Sequence, residues 1–176
     1  KHILRFVDTR LPPEDYAKLI DAVRRQKMIT MCTPFDEESI TLIQKHDIDV
    51  IKVASCSVTD IPLLKEVVKV GKPVIISTGG AGLSDIDRVV HLMVDNSVHF
   101  ALEHCVSIYP TPPDQLQLNQ INVLLDRYPD ISIGWSTHED PDDTITVQLA
   151  VAKGASLFER HVGLQTGTYS LNKYSS

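Results

Sequence analysis

Six short apolar runs punctuate the chain, at residues 28–33, 50–54, 73–77, 99–106, 131–136 and 155–162. Each is rich in Val, Ile or Leu, and they recur at roughly 20–30 residues, the spacing of βα units. Their nearly continuous apolar character is that of parallel strands covered on both faces. Between them lie amphipathic stretches with helix punctuation. Asp36 stands before Glu37 and Glu38 as an N-cap with acids in the first turn. Thr59 or Asp60 opens the next helix, with Pro62 early in it and Gly71 just past its end. Ser84 opens another, running towards Val94. Residues 116–128 read as a helix stopped by Pro129. Asp142 opens the last, with Lys153 in its final turn and Gly154 as C-terminal cap. A helix over 12–26 places Tyr16, Leu19, Ile20 and Val23 on one face.

Alternating strands and helices leave two architectures, a doubly wound open sheet or a (β/α)8 TIM barrel. No Gly-x-Gly-x-x-Gly follows a strand, which removes support for a dinucleotide-binding open sheet. A barrel needs eight strands and about 250 residues. The 176 residues here carry six. We therefore expect a single partial TIM-barrel domain over 1–176, with about six of eight βα units present.

Composition narrows the function. The chain is 43% hydrophobic and 23% charged, as in ordinary soluble domains. Its net charge of −6 argues against non-specific nucleic-acid binding. No apolar run is long enough to span a membrane. No signal peptide opens the chain, and Cys32, Cys56 and Cys105 are too few and odd in number for a disulfide scaffold. The expected setting is cytoplasmic.

Polar residues gather at the C-terminal ends of the apolar runs. They read Cys32-Thr33-Pro34-Phe35-Asp36, Lys52-Val53-Ala54-Ser55, Ser77-Thr78-Gly79-Gly80, Glu103-His104-Cys105-Val106-Ser107, Ser136-Thr137-His138-Glu139 and Glu159-Arg160-His161. In parallel α/β folds the site lies at that edge. Lys52 sits within an apolar strand and is costly to bury unpaired. It is either one arm of a structural ion pair with a neighbouring acid, a cation for phosphate or carboxylate, or a Schiff-base amine. The hydroxyls of Ser55, Ser77, Thr78 and Ser136 with the Gly79-Gly80 backbone suit a phosphate cradle, or else cap helices. His104, His138 and His161 end three successive strands and so are candidates to meet at one metal or catalytic centre; two imidazoles with oxygens suit Mn, Fe, Co or Zn.

Five strings kept in order are recognisable: Thr33-Pro34-Phe35-Asp36, Lys52-Val53-Ala54-Ser55, Gly71-Lys72-Pro73-Val74-Ile75-Ile76-Ser77-Thr78-Gly79, His104-Cys105-Val106-Ser107-Ile108-Tyr109-Pro110-Thr111-Pro112 and Glu159-Arg160-His161. Over about residues 28–164 the chain resembles the barrel domain of the sialic acid synthase (N-acetylneuraminate synthase) family. The late Leu171-Asn172-Lys173-Tyr174-Ser175 also resembles a segment following that barrel. The resemblance implies a (β/α)8 barrel enzyme, a transferase that condenses phosphoenolpyruvate with an N-acetylated aminosugar such as N-acetylmannosamine. It implies a divalent metal, Mn2+ with Mg2+ or Co2+ as alternatives, on His138 and His161. Phosphoenolpyruvate contacts fall on Thr33, Lys52, Ser55, Ser77 and Ser136, while Ser107 and Tyr109 face the sugar. Lys52, His104 and Tyr109 are the catalytic candidates, and the full-length protein is expected to be a homodimer.

The chain also departs from the pattern. Ser57 stands where many members have a Glu, so Glu103, Glu139 or another segment would have to substitute. The first two family strands, and the C-terminal antifreeze-like domain, are not recognised. A non-catalytic sugar-phosphate-binding barrel module and a metal-dependent aldolase are the competing readings.

Overall fold

The computed structural model describes residues 10–140 and 143–161. Elements alternate: α1 (Pro13–Arg25), β1 (Met31–Cys32), α2 (Glu37–Lys45), β2 (Val50–Val53), α3 (Ile61–Val70), β3 (Val74–Ser77), α4 (Leu83–Asp95), β4 (Phe100–His104), α5 (Asn119–Arg127), β5 (Ser132–Trp135), α6 (Thr144–Ala152) and β6 (Leu157–Phe158). The six strands form one sheet in sequence order, with every neighbouring pair parallel. That is the order expected of consecutive right-handed βα units.

The sheet curls. In a flat sheet, β2 and β6 lie four strand spacings apart, about 19 Å. Yet Lys52 on β2 reaches the carboxylate of Glu159, just past β6, at 3.2 Å. The described residues are thus a six-stranded half-barrel, and an eight-stranded closed barrel is not what they contain.

Pleat parity divides the sheet's two faces. Register places Cys32 beside Ile51, Val53 beside Ile76, Leu102 beside Ile133 and His104 beside Trp135, all facing the helices. This convex side carries the core, where Ile51, Ile76, Leu102, Ile133 and Trp135 are fully buried with Leu63, Leu64, Met93, Ile121 and Leu124. The concave side presents Lys52 and Ile75 in one row and Ser77, Glu103, Gly134 and Leu157 in the next.

Local signals account for most boundaries. Asp36 and Asp60 cap α2 and α3 by accepting from the Ser39 and Leu63 amides. Gly71 ends α3 at φ +70°, a conformation glycine adopts without strain. Three expectations shift. The helix expected over 116–128 is shorter, Asn119–Arg127, because Gln117 takes a left-handed φ of 51° that a helix cannot contain. Helix α4 is entered from Gly82, ahead of Ser84. Asp143 caps α6, accepting from Ile145 and Thr146; Asp142 lies outside the described residues. The string at Leu171–Ser175 is likewise outside them.

Candidate active site

The concave edge at the strand C-termini gathers an ionic cluster. Lys52 is 4% exposed, and Glu103, on the inward pleat of β4, is 1% exposed. The Lys52 ammonium donates to Glu103 Oε2 and to Ser77 Oγ. Glu159 Oε2 lies 3.2 Å from the same ammonium and accepts from Ser136 Oγ at 2.5 Å. The ends of β3, β4 and β6 thus meet at one cation, and Ser136 past β5 joins through Glu159. Burial pushes the Glu103 carboxyl up, against the pull of Lys52. Burial also works to raise Glu159, but Lys52 and the Ser136 hydroxyl outweigh it and hold that carboxyl below its usual range. Gly134 makes room for this arrangement: a Cβ there would meet Glu103 Cγ at 2.9 Å and the Leu157 carbonyl at 2.8 Å.

A second group lies on the loops just beyond. Gly79 N–H donates to Ser55 Oγ at 3.0 Å. A Cβ on Gly79 would stand 2.7 Å from Ser107 Oγ, 2.8 Å from Ser55 Oγ and 3.2 Å from Cys105 Sγ. The bare backbone is therefore what lets two hydroxyls and a thiol converge there. Burial raises the Cys105 thiol, so it stays protonated and unreactive near neutral pH.

The third group is aromatic. The rings of His138 and His161 lie 5.1 Å apart, and Tyr109 packs on His138 at 4.0 Å. His138 Nδ1 is buried with no hydrogen-bond partner among the described residues. Burial, with His161 alongside, pushes His138 below the ordinary imidazole range, so its ring is neutral and keeps a lone pair to offer. A buried, unsatisfied imidazole nitrogen on a ring centred 5.1 Å from a second imidazole fits a cation ligand pair. Among the described residues no group of three or more His, Cys, Asp or Glu is placed to hold an ion, so this pair would need water or substrate oxygens to complete a shell.

The expected residues divide accordingly. Lys52, Ser77 and Ser136 meet in the ionic cluster; Ser55 and Ser107 flank Gly79; Tyr109, His138 and His161 share the aromatic corner. Thr33 follows β1 and lines a groove beside Tyr16, Leu19, Ile20 and Met31. His104 stands apart from these groups. It follows inward-facing Glu103 by one residue, so the pleat turns it to the helices, where Nε2 pairs with the Leu116 carbonyl at 2.9 Å and the ring packs on Trp135. Its expected catalytic role is not supported by that position. Glu103 and Glu159 are the counter-ions that reading by residue type left unassigned. Strand parity puts both on the inward face with Lys52, but only the curled sheet brings Glu159 to it. Glu139, the other substitute considered for the missing Glu, is engaged by Thr137, Trp135 and Arg160. Ser57 is buried in the 3₁₀ turn Ser55–Ser57.

Residues 3–176 match the model of the NeuB family. A spore coat polysaccharide biosynthesis protein E from Chromobacterium violaceum superposes at a TM-score of 0.96 with 48% identity, over 99% of this chain and 52% of that one. The N-acetylneuraminic acid synthetase of Leptospira borgpetersenii superposes at 0.82 with 30% identity, over 86% of this chain and 52% of that one. The N-acetylneuraminate-9-phosphate synthase of Drosophila melanogaster is 38% identical over 73% of this chain and 34% of its own length. The chain thus spans about half, or less, of the relatives it matches. Truncated 3-deoxy-D-arabino-heptulosonate 7-phosphate synthase from Thermotoga maritima shares the fold at a TM-score of 0.70 with 14% identity. With a family match along nearly its whole length, the chain belongs to the NeuB family.

Proposed function

We propose that this chain forms the anion-binding half of a sugar-acid synthase that condenses phosphoenolpyruvate with an N-acetylated aminosugar such as N-acetylmannosamine. The observation that carries the reading is the meeting of Lys52, Ser77 and Ser136 on the concave edge, with the Ser55–Gly79 cradle adjoining. Phosphoenolpyruvate presents a phosphate and a carboxylate. One ammonium, several hydroxyls and a backbone N–H are the donors such an anion needs. The Tyr109 ring against His138 supplies a wall for the aminosugar.

In the proposed reaction, C3 of phosphoenolpyruvate attacks the aldehyde carbon, water adds at C2, and inorganic phosphate leaves. Lys52 and the serine hydroxyls hold the phosphate and carboxylate so that C3 faces the aldehyde. A divalent ion held by His138 and His161, with manganese the first choice, would supply Lewis-acid polarisation of an aldehyde oxygen. The surround of Lys52 speaks against the aldolase alternative, because a Schiff base needs an unengaged amine and this nitrogen is held by Glu103, Glu159 and Ser77. Ser57, in place of the Glu common in the family, favours the binding-module alternative, which retains the anion site without turnover.

The test incubates the intact protein with phosphoenolpyruvate, Mn2+ and a panel of N-acetylated hexosamines. Phosphate release that depends on the sugar, with a matching 2-keto acid in the mass spectrum, is the expected result. Phosphoenolpyruvate binding with no turnover across the panel would favour the binding module. Borohydride trapping of a keto acid on Lys52 would favour the aldolase.

A further inference from the structure

The charge of Lys52 is already answered inside the protein. Its ammonium lies between Glu103 and Glu159, so the cluster holds one positive and two negative groups before any ligand arrives. An anion docking on Lys52 brings further negative charge to within a few ångströms of Glu103. Glu103 is nearly solvent-free, so water does little to screen that repulsion. Gly134 leaves room beside it for the stem of Glu103 as well as for Leu157.

We propose that Glu103 is the internal counter-ion an incoming anion must displace from Lys52, and that it yields by taking up one proton from solvent. It is a positioning residue: it acts through Lys52 and Ser77. The neutral carboxylic acid so formed releases Lys52 and Ser77 to the ligand and becomes a donor itself. The proposal rests on the anion-site reading above and adds to it the requirement for a proton. The groups facing Glu103 are Lys52 from β2, Ser77 from β3 and Glu159 past β6, with Cys105 two residues along its own chain and His104 between them turned away to Leu116; β5 offers Gly134. The upward push of burial on Glu103 makes that proton easier to accept than for an exposed glutamate.

The probe is sulfate, whose charge is constant from pH 5.5 to 8.5, titrated calorimetrically into the intact protein and into Glu103→Gln, with phosphoenolpyruvate run in parallel. Glutamine keeps the size and removes the charge. We expect Glu103→Gln to bind sulfate about tenfold or more tightly than the wild type at pH 8, since a factor of ten needs only about 1.4 kcal/mol. The two proteins should converge as pH falls and the wild-type Glu103 protonates. Titration in two buffers of different ionisation enthalpy should count one extra proton taken up by the wild type. Equal or weaker binding in Glu103→Gln at pH 8, or parallel pH profiles, would overturn the proposal. The double variant Lys52→Met/Glu103→Gln removes both partners together and so leaves no new unpaired charge on β4; it should lose sulfate binding. If it binds like the wild type, or if none of the proteins binds sulfate or phosphoenolpyruvate, the anion-site reading fails, and the counter-ion proposal with it. Loss in the double variant with no gain in the single one refutes the counter-ion role alone.

Discussion

Replacing Lys52 with Met tests how the concave edge is held together. The substitution keeps an unbranched stem and removes the ammonium. The Lys52 and Glu103 side chains are 5% and 2% exposed. Deleting the cation therefore strands a carboxylate that water cannot reach, with Glu159 nearby to repel it. Breaking a buried pair in this way costs about 3–5 kcal/mol, a large share of the roughly 5–15 kcal/mol that holds a domain folded. At an m-value of about 2 kcal/mol per M, the urea midpoint should fall by about 2 M at pH 8. The deficit must also depend on pH. Burial already raises Glu103, and losing Lys52 removes the main opposing pull, so the folded-state pKa rises further above the unfolded value. A group raised in this way binds its proton in the folded state first. The variant accordingly regains stability as pH falls through the folded pKa towards about 4.3, the unfolded value. Urea melts at pH 8 and pH 5.5 measure both effects. Adding Glu103→Gln to Lys52→Met should restore much of the loss, as a double-mutant cycle would show. A Lys52→Met protein as stable as the wild type at pH 8, or a deficit equal at the two pH values, would refute the buried-pair account.

Gly79→Ala should place a methyl against Ser55 and Ser107, cost about 1–3 kcal/mol in thermal melts, and weaken phosphoenolpyruvate binding at least tenfold by calorimetry. His138→Ala or His161→Ala in the intact protein should each abolish retention of Mn2+ on desalting, read by elemental analysis, while leaving the melting temperature of the metal-free protein nearly unchanged; retention in both variants would rule out the pair as ligands. On the surface, Arg127 and Tyr128 clasp Asp87 and lower its carboxyl to about 2. A depressed acid stabilises the fold above its unfolded pKa, and that contribution fades as pH drops through the folded one. Asp87→Asn should thus lower the melting temperature at pH 7, with the gap to the wild type closing as pH falls from about 4 to 2.

Much of the scaffold was written in local pattern. The apolar runs marked six strands, because residues buried on both faces leave little choice but Val, Ile and Leu. Asp36, Asp60 and Gly71 marked helix ends, because orphan amides and a positive φ select those residue types at short range. The same pattern identified Lys52 as out of place in an apolar strand, and the ordered strings pointed to the NeuB family that the whole-chain match then showed. Three things needed the tertiary structure. Curling brought Glu159 back to Lys52 across four strands, a closure that no local signal encodes. The pleat then decided between neighbours at one strand end, turning Glu103 into the site and His104 to Leu116 and Trp135 behind it. Lastly, the close approach of Ser55 and Ser107 around Gly79 showed why that position has no side chain. Residue type sets what a side chain can do; the direction it faces and the partner it meets depend on register and curvature, which arise only when the strands assemble.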